Sequence, residues 1–167
     1  MIRDAVDRDV EALARIYNYY IEHSPATFEE TLLDAEAFRG RMAAVSEQGL
    51  PWLVAEEGGE LIGYAYASRW RERSAYRFSV ESTVYLAPDC SGGGWGTRLY
   101  TELFDRLEAL GLHAVIGGIT LPNPSSVALH EKMGMEKVAH FPEVGFKQGQ
   151  WLDVGYWQLC FPRRSDL

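Results

Sequence analysis

Ser79-Val80-Glu81-Ser82-Thr83-Val84-Tyr85-Leu86-Ala87-Pro88-Asp89-Cys90-Ser91-Gly92-Gly93-Gly94-Trp95-Gly96-Thr97 changes character twice in a short span. Up to Leu86 the period is two. Val80, Ser82, Val84 and Leu86 point one way and Glu81, Thr83 and Tyr85 the other, as on a strand rich in β-branched residues. Pro88 ends that strand, and the glycines lead into a helix. There Trp95, Leu99, Leu103, Leu107 and Leu110 recur at three- and four-residue steps until Gly111 closes it. His113 to Ile119 returns to strand character. A strand-helix-strand unit over 79–119 requires a right-handed parallel crossover.

The flanks extend this unit. Upstream, Ile2 to Ala5 reads as a short edge strand. Asp7 is placed to cap a helix carrying Val10, Leu13, Ile16, Tyr17, Tyr20 and Ile21, and Asp34 to cap a second with Phe38, Met42 and Val45. Trp52–Glu56 and Leu61–Ser68 are strands joined at Glu57-Gly58-Gly59-Glu60, a hairpin signal. Downstream, Asn123 caps a short helix with Pro124 at its first position and Gly134 after its end. Strands around Glu136–Phe141 and Trp151–Cys160 complete the order β-α-α-β-β-β-α-β-α-β-β. The predicted class is α/β (α+β): a mixed, mostly antiparallel sheet with helices on both faces.

Composition sets the outer limits. At 167 residues and 47% hydrophobic, the chain is long enough for one core and short for two, so a single domain over 1–167 is expected. No apolar run approaches the ~20 residues of a membrane span, and no secretion signal opens the chain. A soluble, cytoplasmic protein is expected. The net charge of −8 argues against nucleic acid or anionic membrane as partner. Cys90 and Cys160 read as free thiols, and no cluster has metal-ligand spacing, so no metal is expected. Arginine outnumbers lysine 13 to 3, with four arginines between Arg69 and Arg77. That segment is either a solvated loop or a site for an acidic ligand.

Three features carry possible chemistry. In the turn Ser91 to Thr97, successive backbone N–H groups at a helix N-terminus can converge on a phosphate; a merely flexible turn is the alternative. It lacks the Lys-Ser/Thr ending of a P-loop and the acidic residue of a dinucleotide fingerprint. Glu81 is either exposed or poised in a cleft, where lost hydration raises a carboxyl pKa and makes it a usable general base. His130, two turns along the Asn123 helix, is either structural or an acid or substrate contact.

In this order, the features resemble the GCN5-related N-acetyltransferases (GNAT), a family with a carboxylate on its fourth strand, a Q/R-x-x-G-x-G/A pyrophosphate turn and an Asn-led helix. The equivalents are Ser91-Gly92-Gly93-Gly94-Trp95-Gly96 and His130-Glu131-Lys132-Met133-Gly134-Met135. Ile16-Tyr17-Asn18, Pro51–Glu56, Glu81–Leu86, Leu129-His130-Glu131 and Gly149–Gln158 point to the phosphinothricin and methionine sulfoximine acetyltransferase branch, associated with herbicide resistance. Two departures stand out. Ser91 replaces the usual Gln or Arg, so cofactor binding would lean on backbone N–H groups. His130 stands where many members have a leaving-group tyrosine, although His is what this branch resembles.

The resemblance implies the GNAT fold and direct acetyl transfer from acetyl-CoA to the α-amine of a small glutamate-like amino acid. It makes Glu81 the general base and leaves open whether His130 is the acid. It puts Val84, Tyr85 and Leu86 on the pantetheine and thioester, Gly92, Gly93, Gly94, Trp95, Gly96 and Thr97 on the pyrophosphate, and Asn123 on the pantetheine arm. Arg71, Arg73 and Tyr76 would contact the substrate's acidic groups, with Phe28 and Val144 lining its pocket. Guanidinium suits that task because it pairs bidentately with carboxylate or phosphinate. A homodimer is expected, with Cys90 a bystander. The alternatives are a peptide or protein N-acetyltransferase, against which segment 24–34 looks able to cover the site, and a non-enzymatic acyl-CoA-binding module.

Overall fold

A computed structural model describes all 167 residues. Strands β1 (Ile2–Asp4), β2 (Trp52–Glu57), β3 (Glu60–Arg69), β4 (Ser79–Leu86), β5 (Ala114–Leu121), β6 (Glu136–Lys147) and β7 (Gln150–Cys160) form one sheet in the order β1-β2-β3-β4-β5-β7-β6. Helices α1 (Val10–His23) and α2 (Ala35–Glu47) follow β1; α3 (Trp95–Ala109) and α4 (Pro124–Lys132) flank β5. The observed element order is the predicted one.

Each face of the sheet has its own core. Val10, Leu13 and Phe38 from α1 and α2 pack on Trp52, Val54 and Tyr64. Leu99, Leu103 and Leu107 from α3 pack on Leu53, Ala65, Val80 and Val115, with Leu129 of α4 against them. The alternation along β4 holds: Val80, Val84 and Leu86 face the α3 side and Tyr85 faces α1. Asp34 and Asn123 cap α2 and α4 as read, accepting the N–H groups of Ala37 at 2.8 Å and Ser126 at 3.2 Å.

Two local expectations are corrected. Asp7 does not cap α1. A 3₁₀ turn, Asp7–Asp9, comes first, and Asp7 bridges Arg39 at 2.6 Å. Buried Asp9 instead accepts the Val6 N–H at 2.8 Å and a forked pair from Arg3, which also reaches Glu56. This charged cluster, which joins the first residues of the chain to the distant end of β2, sets the helix start. The sixth strand also runs on past Phe141 to Lys147. Pro142-Glu143-Val144 forms a bulge opposite Asp153, whose carboxylate accepts the Glu143 N–H at 2.8 Å.

The pairing of β4 with β5, the parallel contact in the sheet, matters most for function. It spans just three pairs, Ser79–Glu81 against Ala114–Ile116. Beyond it β4 stays with β3 as far as Leu86, while β5 stays with β7 as far as Leu121. Held by separate neighbours, the two strands part, and the sheet opens directly after Glu81.

Candidate active site

A cleft of about 660 Å³ occupies this opening and passes through the sheet. Glu81, Thr83 and Tyr85 line it from one face, and Ser82, Val84, Leu86 and His130 from the other. Bonds from the Ala87 N–H to the Ile62 carbonyl (2.7 Å) and from the Trp70 N–H to the Ser79 carbonyl (3.2 Å) fix the phase of the β3–β4 ladder. The backbone groups of Ser82, Val84 and Leu86 therefore face away from β3, toward the gap. Tyr20 donates its hydroxyl to the Leu86 carbonyl at 2.5 Å; the Val84 and Leu86 N–H groups face the cleft.

At the outer end lies the glycine turn. Gly92 and Gly94 have φ of 89° and 78°, a region that side chains with a Cβ adopt at a cost. Gly94 is the N-cap of α3 and provides no side-chain cap, in contrast to Asp34 and Asn123 on α2 and α4. The leading N–H groups of the longest helix, with its positive dipole end, thus stand uncapped at the cleft mouth, where Ser91, Gly92, Gly94, Gly96 and Thr97 form the lining.

Glu81 is half-buried. Loss of hydration pushes its carboxyl pKa above the usual carboxylate value, and the nearby positive charge of Arg71 only partly offsets this. Arg71 lies over the Trp70 ring at 4.4 Å, and Trp70 meets Tyr156, another lining residue, edge-on at 5.7 Å. One arginine of the loop is thus held beside the acidic end of the cleft.

His130 is 3% exposed. Its Nδ1 donates to the Ser126 carbonyl at 2.7 Å, because a carbonyl can only accept. Nε2 then carries the lone pair and accepts the Tyr100 hydroxyl at 3.4 Å. Burial lowers the His130 pKa, keeping the ring neutral at neutral pH. Tyr100, itself in the lining, is pushed up by burial. Ser82, buried at the same point, has a hydroxyl with no protein partner.

Of the residues singled out from the sequence, Glu81, His130, Val84, Tyr85, Leu86, Gly92, Gly94, Gly96, Thr97, Asn123 and Phe28 converge on this cleft. Gly93 and Trp95 stay outside its lining; Trp95 is buried in the α3 core with Arg98 stacked over it at 3.8 Å. Arg71, Arg73 and Tyr76 are exposed in the loop after β3, and Val144 is exposed on the β6 bulge; none lines the cleft.

Residues 13–135 match the family described as "Acetyltransferase (GNAT) family". The chain belongs to this family. Phosphinothricin N-acetyltransferase of Streptomyces viridochromogenes is 41% identical, over 96% of this chain and 87% of the relative. L-methionine sulfoximine/L-methionine sulfone acetyltransferase of Salmonella typhimurium is 35% identical, over 95% and 92% respectively. A GNAT superfamily phosphinothricin acetyltransferase from Sinorhizobium meliloti, solved in complex with acetyl-CoA, superposes with a TM-score of 0.95 at 39% identity, covering all of this chain and 91% of that one.

The protein is therefore a GNAT N-acetyltransferase with acetyl-CoA as co-substrate. The cleft suits that molecule: an uncapped helix N-terminus for phosphates at one end, outward-facing strand N–H groups for a pantetheine amide along the wall, and a carboxylate at the far end. Tyr100 and Tyr20 are among the lining residues that the sequence did not point to. Tyr100 was hidden because its spacing is that of a core position on α3. Tyr20 looked like one more apolar residue on the α1 stripe. No helix of the structure is long and apolar enough to cross a membrane.

Proposed function

We propose that this enzyme acetylates the α-amine of a small amino acid with a second acidic or strongly polar group, of the phosphinothricin or methionine sulfoximine type, by direct transfer. The observation that carries this is a desolvated carboxylate, Glu81, where the sheet opens, with the positive charge of Arg71 acting on it from outside the lining. Acetyl-CoA supplies the acyl carbon and a thiolate leaving group. Glu81 takes a proton from the substrate ammonium, directly or through water. The free amine then forms its N–C bond as the C–S bond breaks. The N–H groups of Val84 and Leu86 polarise the thioester oxygen and hold pantetheine, with the Asn123 amide further out, and Gly92 to Thr97 grip the pyrophosphate. His130 is neutral and its Nε2 accepts the Tyr100 hydroxyl; the departing thiolate takes that hydroxyl proton, and the second proton shed by the amine nitrogen restores it. Arg71 pairs with the substrate's acidic group. Arg73, Tyr76 and Val144 are left without a role in a single chain.

The wall formed by Ala26, Thr27 and Phe28 favours a small substrate over a peptide. Free CoA release with phosphinothricin, methionine sulfoximine and a panel of amino acids and peptides tests the reading. Turnover of the first group is expected. Peptide turnover alone would replace it with the protein-acetylating alternative, and acetyl-CoA binding without turnover on any amine with the non-enzymatic one. Dependence on acetyl-CoA supports a cytoplasmic setting.

We also propose a homodimer formed through β6 and β7. β6 is an edge strand, and Phe141, Val144, Phe146 and Trp151 on this hairpin are between 49% and 65% exposed, too many large apolar side chains for an idle surface. Light scattering is expected to give twice the chain mass, and Trp151→Asp to give the monomer; a monomeric wild type removes the proposal.

A further inference from the structure

Lys147, at the end of β6, is 3% exposed, although lysines are almost never fully buried without a partner charge. No carboxylate lies within ion-pair distance of it. Glu30 and Glu29 act on it only from a distance, and Glu29 is taken by Arg41. Its ammonium instead donates to three backbone carbonyls of one segment: Thr27 at 2.7 Å, Ser24 at 2.8 Å and Tyr20 at 3.4 Å. Two of these oxygens belong to the last turn and C-cap of α1, the negative end of the helix dipole, which compensates a buried cation without a counter-ion. The third belongs to Thr27, in the wall of the cleft.

Neighbouring contacts serve the same segment. The Thr27 hydroxyl bonds the Tyr17 hydroxyl at 2.8 Å. Gln148, the next residue along, donates to the Glu22 carbonyl at 3.1 Å. Gly145, two residues before Lys147, lies so close to the Phe28 ring that a Cβ there would come within 2.3 Å of it. Phe28 is 40% exposed and is held by that contact rather than by burial. The β6 hairpin thus clamps residues 24–28 at the point where they face Glu81 and Tyr85.

We infer that Lys147 is a positioning residue that holds the Ala26–Phe28 wall over the amine side of the cleft and thereby sets the size of substrate the enzyme accepts. This deepens the amino-acid reading given above and rests on it for the identity of that side. The acetyl-CoA side, built from β4 and the glycine turn, is linked to Lys147 only through Tyr20, whose carbonyl takes the longest of the three bonds and whose hydroxyl reaches the Leu86 carbonyl, so the two substrates separate the effect.

The test uses Lys147→Met and, independently, Gly145→Ala, which displaces the Phe28 ring and leaves the lysine in place. Kinetics are measured with acetyl-CoA and the amino acid that wild type turns over fastest. The expected result for each variant is a rise of about tenfold or more in KM for the amino acid, with KM for acetyl-CoA changed by less than about twofold. Larger amines should gain relative to the preferred one. In Lys147→Met, hydrogen exchange at amides 24–30 should speed up by about tenfold with β2–β4 unchanged, a readout that needs no substrate. Unchanged exchange in that segment, equal shifts in both KM values, or Gly145→Ala kinetics matching wild type would overturn the proposal. A panel with no acetylated amino acid would sink the substrate reading, leaving the exchange result to decide the clamp. If Lys147→Met does not fold, Gly145→Ala decides.

Discussion

Replacing Glu81 by Gln is expected to lower kcat/KM for the amino substrate by about 10²–10⁴-fold near neutral pH, the usual worth of a positioned proton acceptor. KM for acetyl-CoA should stay within about twofold, because the phosphate and pantetheine contacts lie elsewhere in the cleft. The pH dependence gives the sharper check. A base must be unprotonated to act, and burial raises the Glu81 pKa, so the wild-type acid limb should lie above the ordinary glutamate range. That limb should vanish in Glu81→Gln. The deficit should also shrink at alkaline pH, where the amine loses its proton unaided. A profile with the same acid limb in both enzymes would remove Glu81 from the base role.

The same substitution should stabilise the fold. A carboxyl whose pKa is raised on folding contributes most when protonated, and that contribution is lost as pH rises through the folded value. At neutral pH the charged Glu81 is a net cost, and glutamine removes it. A higher melting temperature with collapsed activity is therefore expected, and this combination cannot come from misfolding.

The second large effect is expected at the glycine turn. Gly94→Val puts a β-branched side chain at φ 78°, ψ 4°, where even a Cβ costs about 1–2 kcal/mol. The turn relieves that strain by rotating, which turns the leading α3 N–H groups away from the cleft mouth. KM for acetyl-CoA should rise about tenfold or more, with kcat at saturation little changed. Gly40→Ala is the matched control: it lies on α2 with nothing within 4 Å of a new Cβ, and should leave both constants alone. An unchanged acetyl-CoA KM in Gly94→Val would mean that the turn does not bind the phosphates.

Much of this was readable in the chain because it depends on near neighbours. The two faces of β4, the α3 stripe closed by Gly111, and the Asp34 and Asn123 caps are each written within a few residues. Failures came where distant segments intervened. Asp7 had the composition of a cap, but Arg3 and Glu56 brought Asp9 into the interior and the helix began later. The sixth strand reads in sequence only as far as Phe141, and Asp153 on β7 carries it onward through a bulge. The resemblance brought in Arg71, Arg73 and Tyr76 together, with Arg71 the least favoured; the edge-on contact of Trp70 with Tyr156, beneath the Arg71 guanidinium, sets Arg71 apart from the others.

From residues alone came the succession of helices and strands, the glycine-opened helix start, and the pairing of a strand carboxylate with that turn. These follow from backbone preferences and side-chain periods that act over one or two turns. Folding in three dimensions settled the rest: that β4 and β5 part just past Glu81, that this carboxyl loses water, that His130 is neutral, and that Lys147 is buried against the end of α1. Hydration and charge depend on everything within several ångströms, and most of those neighbours are far away along the chain.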